Sequence, residues 1–299
     1  MSFNRNKLTT QSGQALVLVL LSLAVVLTLV LYILSRTVTD VAISSREEES
    51  VRAFSAAEAG VERALVIGSS IGSTTIGDAN FSADVASFAE GTYNFNYPLN
   101  LGSTDSSTLW FVSHGDDGNF ICDATHPCFS GNLLKVCWGK PGTSSSASTT
   151  PAIELSIFYA STPLDFTTTK IARAAQDPNS TRRTTNNFWA PDSGTCTING
   201  ESFQFTKTFN LNSDFGIPAL ADGGLLFARV NMFYNTDQNH NIGFDVNFPG
   251  NDSLPSQGLM ISSTGTSGES NRRLQVFQSW PEPPSIFNYA LFSSSGITK

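Results

Sequence analysis

The chain has 299 residues, of which 40% are apolar and 14% are charged, and its net charge is −8 at pH 7. Residues 1–68 contain six basic and six acidic side chains, so the remainder contains 17 − 6 = 11 basic and 25 − 6 = 19 acidic ones. An acidic chain of this length can bury a sizeable core, but it lacks the basic patch of a nucleic-acid-binding protein.

The first element is an apolar helix that starts close to the N-terminus. Between Ala15 and Leu34 no residue is charged, and only Ser22, Thr28 and Tyr32 carry polar groups. Twenty helical residues span roughly 30 Å, the thickness of the hydrocarbon core of a bilayer. A secretory signal peptide is the alternative, but its apolar core is normally shorter and ends at a small-x-small cleavage site. The sequence therefore predicts a transmembrane span over residues 15–34.

The helix is predicted to continue beyond the membrane as far as Ile67. No Gly or Pro occurs between Ala15 and Ala59, and residues 42–67 are rich in helix-forming residues. A bend near residues 36–40 that separates two helices is the alternative. The charged residues at positions 46–49 and 52 either pair between packed helices or form a solvated face.

Two sets of residues in the second half of this helix are candidates for packing. The first is an apolar stripe of Val51, Phe54, Val61 and Leu65, which recur at helical spacing. The second is a strip of small residues that would let a sheet or another helix approach closely: Ala53, Ala56, Ala57, Gly60 and Ala64. We expect the helix to contact its own sheet through Phe54, Val61 and Leu65, because an uncovered apolar stripe is unfavourable in water.

The N-terminal region resembles type IV pilins and pseudopilins, and most closely the PilX-type minor pilins. The resemblance is carried by the basic leader MSFNRNKLTTQSG, the apolar span and the segment AFSAAEAGVERAL. It implies that a prepilin peptidase cuts after Gly13, that Gln14 becomes the N-methylated first residue, and that the span packs against other pilin subunits in a filament core. The ISSTGTSG and RRLQV segments near the C-terminus are similar to the closing hairpin of pilin-like heads.

Two positions depart from the pattern of the major pilins. Leu18 stands where the family places a Glu that pairs with the terminal amine of a neighbour, and Gln14 stands where an aromatic residue is usual. The missing Glu argues against a bulk subunit and favours a tip or initiating subunit. Leu18 is instead expected to pack in the helical core of the filament.

Residues 68–299 are predicted to form a β-rich head. Segment 68–90 is predicted to be a loop with a short helical turn at residues 85–89. The strands that follow are short and rich in aromatic and β-branched residues. They are predicted at 92–97, 108–113, 133–138, 152–160, 170–174, 202–208, 225–233, 242–248, 259–262, 272–279 and 287–293. The segments at 139–151 and 177–188 are predicted to be exposed loops, either plain surface or a receptor-binding site.

The predicted fold class is therefore α+β, with a long N-terminal helix and a mainly antiparallel β head formed as a sandwich or a curved sheet. The predicted organisation is a leader at 1–13, a helix at 14–67 and a head at 68–299. Arg5 and Lys7 precede the span, so the N-terminus is expected on the cytoplasmic side and the head outside. The protein would then lie in the cytoplasmic membrane before assembly and at the cell surface afterwards.

Four cysteines suit an oxidising compartment and allow three disulfide pairings. The favoured pairing joins Cys122 to Cys128 across a short turn and Cys137 to Cys196 across a long loop. A zinc site from Cys122, Cys128, Cys137 and His126 is the alternative, although the spacing between the cysteines is not that of a zinc finger.

The sequence contains no recognisable catalytic motif, and we expect neither enzymatic activity nor a cofactor. His114, His126 and His240 lie in turn-like contexts, and the segment around His114 is most simply a polar hairpin turn. A calcium site is a second metal hypothesis, because alternate residues carry oxygen side chains: Asn235, Asp237, Asn239 and Asn241. The bidentate Glu of an EF-hand loop is missing, since residue 246 is Val.

Three function classes follow from these observations. The first is a minor pilin or pseudopilin-like subunit, with the peptidase, the membrane, sister subunits and a surface ligand as partners. The second is a single-pass anchored surface protein that never polymerises. The third and least favoured is an exported enzyme on a membrane stalk.

Overall fold

The computed structural model describes residues 12–115 and 117–282. The predicted strand at 287–293, Asp116 and most of the predicted leader lie outside the described residues. In chain order the helices are α1 (Ser12–Ile67), a 3-10 turn (Phe166–Thr168) and α2 (Ser180–Asn186). The strands are β1 (Ile71–Ile76), β2 (Ala79–Ser87), β3 (Asn94–Asn96), β4 (Ser106–Trp110), β5 (Ser113–His114), β6 (Phe120–Ile121), β7 (Leu133–Trp138), β8 (Ala152–Ala160), β9 (Thr169–Gln176), β10 (Cys196–Ile198), β11 (Glu201–Phe203), β12 (Phe205–Asn210), β13 (Leu225–Phe233), β14 (Ile242–Asp245), β15 (Gly258–Ser267) and β16 (Ser270–Ser279).

The architecture is α+β, as predicted, with one long helix followed by antiparallel sheets. Helix α1 runs without a break through residues 36–40, so the alternative of two helices is wrong. The chain divides into two compact units. Within the described residues, the first comprises residues 12–84 together with Ser262–Gln275, and the second comprises Val85–Ile261 together with residues 276–282.

The first unit contains α1 and a four-stranded sheet in the order β1-β2-β15-β16. Strands β15 and β16 are joined by the two-residue turn at Gly268 and Glu269. Strand β15 continues to Ser267, so the strand predicted at 259–262 is longer than expected and the predicted turn is shorter. Strands β1 and β2 occupy most of segment 68–90, so the predicted loop there is wrong. Ala79, Phe81 and Ala83 alternate inward on β2, but alanines in a Ser/Gly-rich segment gave no clear strand pattern.

The second unit is built from two four-stranded sheets, in the orders β12-β7-β14-β3 and β4-β13-β8-β9. Their inner faces share one core that is rich in aromatic and branched side chains, including Trp138, Phe209, Phe244, Leu155 and Val230. Period-two alternation explains this arrangement, since Ile153, Leu155 and Ile157 are all fully buried on β8. Strands β7, β8 and β13 have the predicted bounds.

The second predicted loop, at 177–188, contains helix α2. The side chain of Asn179 caps this helix by accepting hydrogen bonds from the backbone N–H groups of Thr181 and Arg182, at 3.0 and 3.1 Å. The fully buried carboxylate of Asp177 accepts hydrogen bonds from Arg182 and from Asn186. Arg182 also donates to the carbonyls of residues 148 and 150, so it ties the loop at 139–151 to α2.

Candidate functional site: the apolar helix and its small-residue face

The first half of α1 exposes apolar side chains on every side. From Leu16 to Leu34 the large apolar residues are between 47% and 68% exposed, and Leu18 has the highest value. The polar side chains in this stretch are satisfied within the helix, because Ser22 donates to the Val19 carbonyl and Thr28 to the Val25 carbonyl. Such a surface is unfavourable in water, so it requires lipid or protein around it.

The length and composition of α1 are sufficient to cross a membrane. A signal sequence near an N-terminus can have the same apolar length and composition. The predicted cleavage point between Gly13 and Gln14 lies in the first turn of the helix, which begins at Ser12, and Gln14 is exposed.

The second half of α1 packs within the first unit through its small residues. Ala53, Ala57 and Ala64 are fully buried, and Val61 is 7% exposed. Val51, Phe54 and Leu65 are 65%, 42% and 37% exposed, so the prediction that the helix packs through Phe54, Val61 and Leu65 is wrong for Phe54 and Leu65. Val51, the fourth member of the predicted stripe, is the most exposed of them.

The reason for this choice of face is the close approach of strand β15. A Cβ atom on Gly265 would overlap the Ala53 carbonyl oxygen and would lie 2.5 Å from the Ala57 nitrogen. A Cβ atom on Gly60 would overlap the Ser263 side chain and would lie 2.9 Å from the Phe81 ring. Because backbone meets backbone here, a face of Val, Phe and Leu would hold the helix away from the strand.

The β15–β16 hairpin also makes polar contacts with α1. The Glu49 carboxylate accepts a hydrogen bond from the Glu269 backbone N–H at 3.1 Å. Arg272 donates through two nitrogens to the Ser50 hydroxyl, at 3.0 and 2.6 Å. The hairpin therefore contacts the helix through these polar groups as well as through the small-residue face.

The charged residues before this contact are mostly solvated. Arg52 pairs with Glu48 one turn earlier and lies 3.6 Å from Asp78, and all three side chains are at least 48% exposed. Exposed pairs of this kind contribute about 0–1 kcal/mol to stability.

The structure pairs Cys122 with Cys128 and Cys137 with Cys196, which is the pairing favoured from the sequence. The second disulfide joins β7 to β10 next to Ile198 and Phe203 in a small apolar cluster. With all four sulfurs in disulfides, these cysteines cannot be the thiolate ligands of the zinc alternative.

The four residues of the calcium hypothesis contact separate neighbours. Asn235 is buried and its amide donates to the carbonyls of Leu101 and Gln238, at 2.9 and 3.2 Å. Asp237 accepts a hydrogen bond from Thr149, and Asn241 donates to Glu201. Asn239 lies beside Gly102. These contacts fix a turn between strands. Among the described residues, no three His, Cys, Asp or Glu side chains form a group that could hold a metal ion.

The three histidines have unrelated surroundings. His114 is buried between the rings of Trp110, Phe120 and Trp280, with ring centroids 4.6, 5.0 and 4.7 Å away, and burial lowers its pKa to about 4. The His126 side chain is exposed, and its Nδ1 atom lies 3.0 Å from Oδ1 of Asp123.

His240 accepts a hydrogen bond from the Lys140 backbone N–H through Nδ1, and burial lowers its pKa. The aromatic enclosure of His114 was not predicted, because Trp280, which stacks on the ring, is far from His114 in the sequence, although Trp110 and Phe120 are near it.

One surface cavity of about 520 Å³ lies in the second unit. Its walls combine amide and hydroxyl groups with apolar side chains and contain no charged residue: Ser130, Gly131, Asn132, Asn210, Leu211, Asn212, Ser213, Ile217, Pro218, Ala219, Leu220, Leu225, Pro249 and Gly250. This lining suits a neutral ligand of mixed polarity better than a charged one.

No protein family, no curated protein and no solved structure matches this chain.

Proposed function

We propose that this chain is a minor pilin or pseudopilin-like subunit of a type IV filament. The observation that supports this assignment is the single uninterrupted helix Ser12–Ile67 behind a basic leader. Its first half is apolar on every side, and its second half contacts a β sheet within the same unit. A helix of this kind can be stored in a lipid bilayer and then transferred to a core of identical or related helices, because both surroundings are apolar.

The proposed topology follows from the same helix. The short leader stays in the cytoplasm, residues 15–34 cross the membrane, and the acidic β head lies outside with its two disulfides. After cleavage the subunit moves to the cell surface as part of the filament. The absence of a Glu at Leu18 supports a place at the tip or in initiation, where adhesion to a surface ligand is a natural role.

Intact-mass analysis of the protein isolated from its own host tests the proposal. We expect the loss of Met1–Gly13 and the gain of one methyl group on Gln14. A Gly13→Leu variant should accumulate as the uncut chain, whereas the matched Gly72→Leu variant, at an exposed site with open space around it, should be processed normally. A mature protein that keeps Met1 would contradict the proposal.

The second candidate is a single-pass anchored surface protein that does not polymerise. The residues Gln14 and Leu18 favour it, because both depart from the pilin pattern at the positions used in assembly. Photo-cross-linking in the host membrane separates the two candidates, with a thiol-reactive photo-cross-linker attached to Leu18→Cys in the apolar half of α1. A filament subunit should give cross-linked products with sister subunits, and a solitary anchor should give none.

A further inference from the structure

The surface cavity of the second unit lies where three loops meet. Its walls come from the loop before β7, the loop that follows β12 and the loop that follows β14. Its floor is apolar, because Leu211, Ile217 and Leu225 are at most 4% exposed and belong to the core between the two sheets. The volume of about 520 Å³ lies within the range of about 300–1,000 Å³ that is typical of small-molecule sites. The cavity is therefore large enough for a small organic ligand.

Hydrogen bonds within the chain fix the walls of this cavity. The Oδ1 atom of Asn210 accepts from the backbone N–H groups of Asn212 and Ser213, both at 3.0 Å. The Nδ2 group of Asn212 donates to the Ile217 carbonyl at 3.0 Å. Across the cavity, Asn251 hydrogen-bonds backbone groups at the start of β7, at 3.2 and 2.8 Å. Because the walls are fixed before a ligand arrives, binding costs little conformational entropy.

Three asparagine side chains in the lining have hydrogen-bonding groups to spare. The Asn132 side chain is exposed, and neither end of its amide has a partner in residues 12–115 or 117–282. Within the same described ranges, nothing accepts from the Nδ2 group of Asn210 and nothing donates to the Oδ1 atom of Asn212. A ligand in the cavity can therefore find both donors and acceptors.

Two serine hydroxyls in the lining are restricted to accepting. Ser130 donates to the Asp252 carboxylate at 2.6 Å, and Ser213 donates to the Asp214 carboxylate at 3.2 Å. A hydroxyl whose hydrogen is already engaged offers a ligand only its lone pairs. Together with Oδ1 of Asn212 they make acceptors more numerous than donors, so a matching ligand must bring several donors. The two carboxylates behind the serines would also repel an anionic ligand.

We propose that this cavity binds a neutral saccharide. Each sugar hydroxyl donates one hydrogen bond and can accept others, so a saccharide can satisfy the excess of acceptors and still accept from Asn210 and Asn132. The C–H groups of its rings can pack on the apolar floor. A neutral peptide brings only one backbone N–H per residue and fits this lining less well. The inference does not rest on the filament assignment, because every wall residue belongs to the second unit.

Saturation-transfer NMR on the full chain tests this binding. The chain is placed in phosphatidylcholine nanodiscs, because a detergent with a sugar headgroup would compete for the cavity. The probes are the neutral saccharides lactose, maltose, cellobiose and N,N′-diacetylchitobiose, with the anionic sialyllactose and the neutral peptide N-acetyl-trialanine amide for comparison. We expect a signal from at least one neutral saccharide, and weaker signals from sialyllactose and from the peptide.

Variants then locate the binding. Asn132→Ala removes an amide that has no role in holding the described fold, and should weaken the binding about five- to tenfold. The matched variant Asn100→Ala, at an exposed asparagine outside the cavity, should bind like the unchanged chain. Ala219→Trp places a large ring in the wall at an exposed position and should abolish binding.

Three outcomes would overturn the proposal. The first is no signal from any neutral saccharide, and the second is a stronger signal from the peptide than from every saccharide. The third is saccharide binding that persists unchanged in Asn132→Ala and in Ala219→Trp, which would place it outside the cavity. If Ala219→Trp disturbs the fold, seen as faster amide exchange in β7, β8 and β13, the comparison of Asn132→Ala with Asn100→Ala decides alone. Processing of the leader is measured separately, so failure here leaves the filament assignment standing.

Discussion

The two units of the molecule achieve close packing in opposite ways. In the first unit, α1 contacts the sheet through alanines and through Gly60, and Gly265 on β15 lies against the helix backbone. In the second unit, large rings fill the space between the sheets, and Trp138, Phe209 and Phe244 are all at most 1% exposed. One interface is close because side chains are nearly absent, and the other because side chains are large.

This difference predicts opposite sensitivities. Removing atoms from the second unit leaves a cavity, whereas removing an exposed ring from the first changes little. Adding a single methyl group at the contact between α1 and β15 in the first unit forces two backbones apart. In the second unit, rings already fill the space between the sheets. The following predictions test this contrast.

Truncating a central ring of the second unit should have the largest effect. Phe244 is fully buried on β14 and its ring lies 5.3 Å from that of Phe95. We expect Phe244→Ala to lower the free energy of unfolding by about 3–5 kcal/mol. The matched variant Phe54→Ala, in the first unit and 42% exposed, should lower it by less than about 1 kcal/mol. Urea unfolding of the detergent-solubilised chain measures both, and similar losses for the two would refute the contrast.

The two disulfides of the second unit should differ in strength. Cys137–Cys196 closes a separation of 59 residues and Cys122–Cys128 a separation of 6. In the chain-entropy model these contribute about 4 and about 2 kcal/mol. We expect the Ser double variant of the long bridge to melt well below that of the short one in calorimetry. The reverse order would show that native contacts, and not loop closure, dominate.

The acid stability of the second unit should depend on His114. Burial lowers the pKa of His114 to about 4, below its ordinary 6.5, so the unfolded chain binds the proton more strongly. Stability should therefore be full above about pH 6.5 and fall by roughly 2–3 kcal/mol as the pH drops towards 4. His240, whose pKa burial also lowers, acts in the same direction.

Urea unfolding at several pH values measures this loss. His114→Gln should remove most of the slope between pH 4 and 6.5, and His240→Gln should reduce it further. Carboxylates such as Asp177, whose pKa is lowered in the fold, add a contribution near pH 4. An unchanged slope in His114→Gln would contradict the assignment.

The long helix and most strands of the second unit could be predicted from the sequence, and the favoured one of the three possible disulfide pairings is confirmed. Local sequence patterns indicate these features: an apolar run without Gly or Pro, the spacing of the cysteines, and the alternation of apolar residues such as Ile153, Leu155 and Ile157. Helix α2 was missed although its signal was present, because Asn179 followed by Ser180 is a normal N-cap sequence that was interpreted as a loop.

The packed face of α1 could not be predicted in the same way. The helix has two candidate packing faces, and the apolar face with Phe54 and Leu65 would bury more apolar area. The choice depends on Gly265, about 200 residues later in the chain, which brings β15 against Ala53 and Ala57. Similarly, the enclosure of His114 depends on Trp280. Contacts between distant segments leave no periodic signal in either segment.

Adding one methyl group at Gly265 should have the smallest effect of the four and is the most specific test of the first unit. The new Cβ would meet backbone atoms of Ala53 and Ala57, which cannot move aside as a side chain can, so we expect Gly265→Ala to lower stability by about 1–3 kcal/mol. The matched variant Gly72→Ala, on β1 with open space around it, should have little effect. Hydrogen exchange locates the change: amides of residues 49–64 should exchange faster in Gly265→Ala only, while those of β7, β8 and β13 should keep their protection. If exchange in residues 49–64 is unchanged, the helix does not depend on close approach to β15.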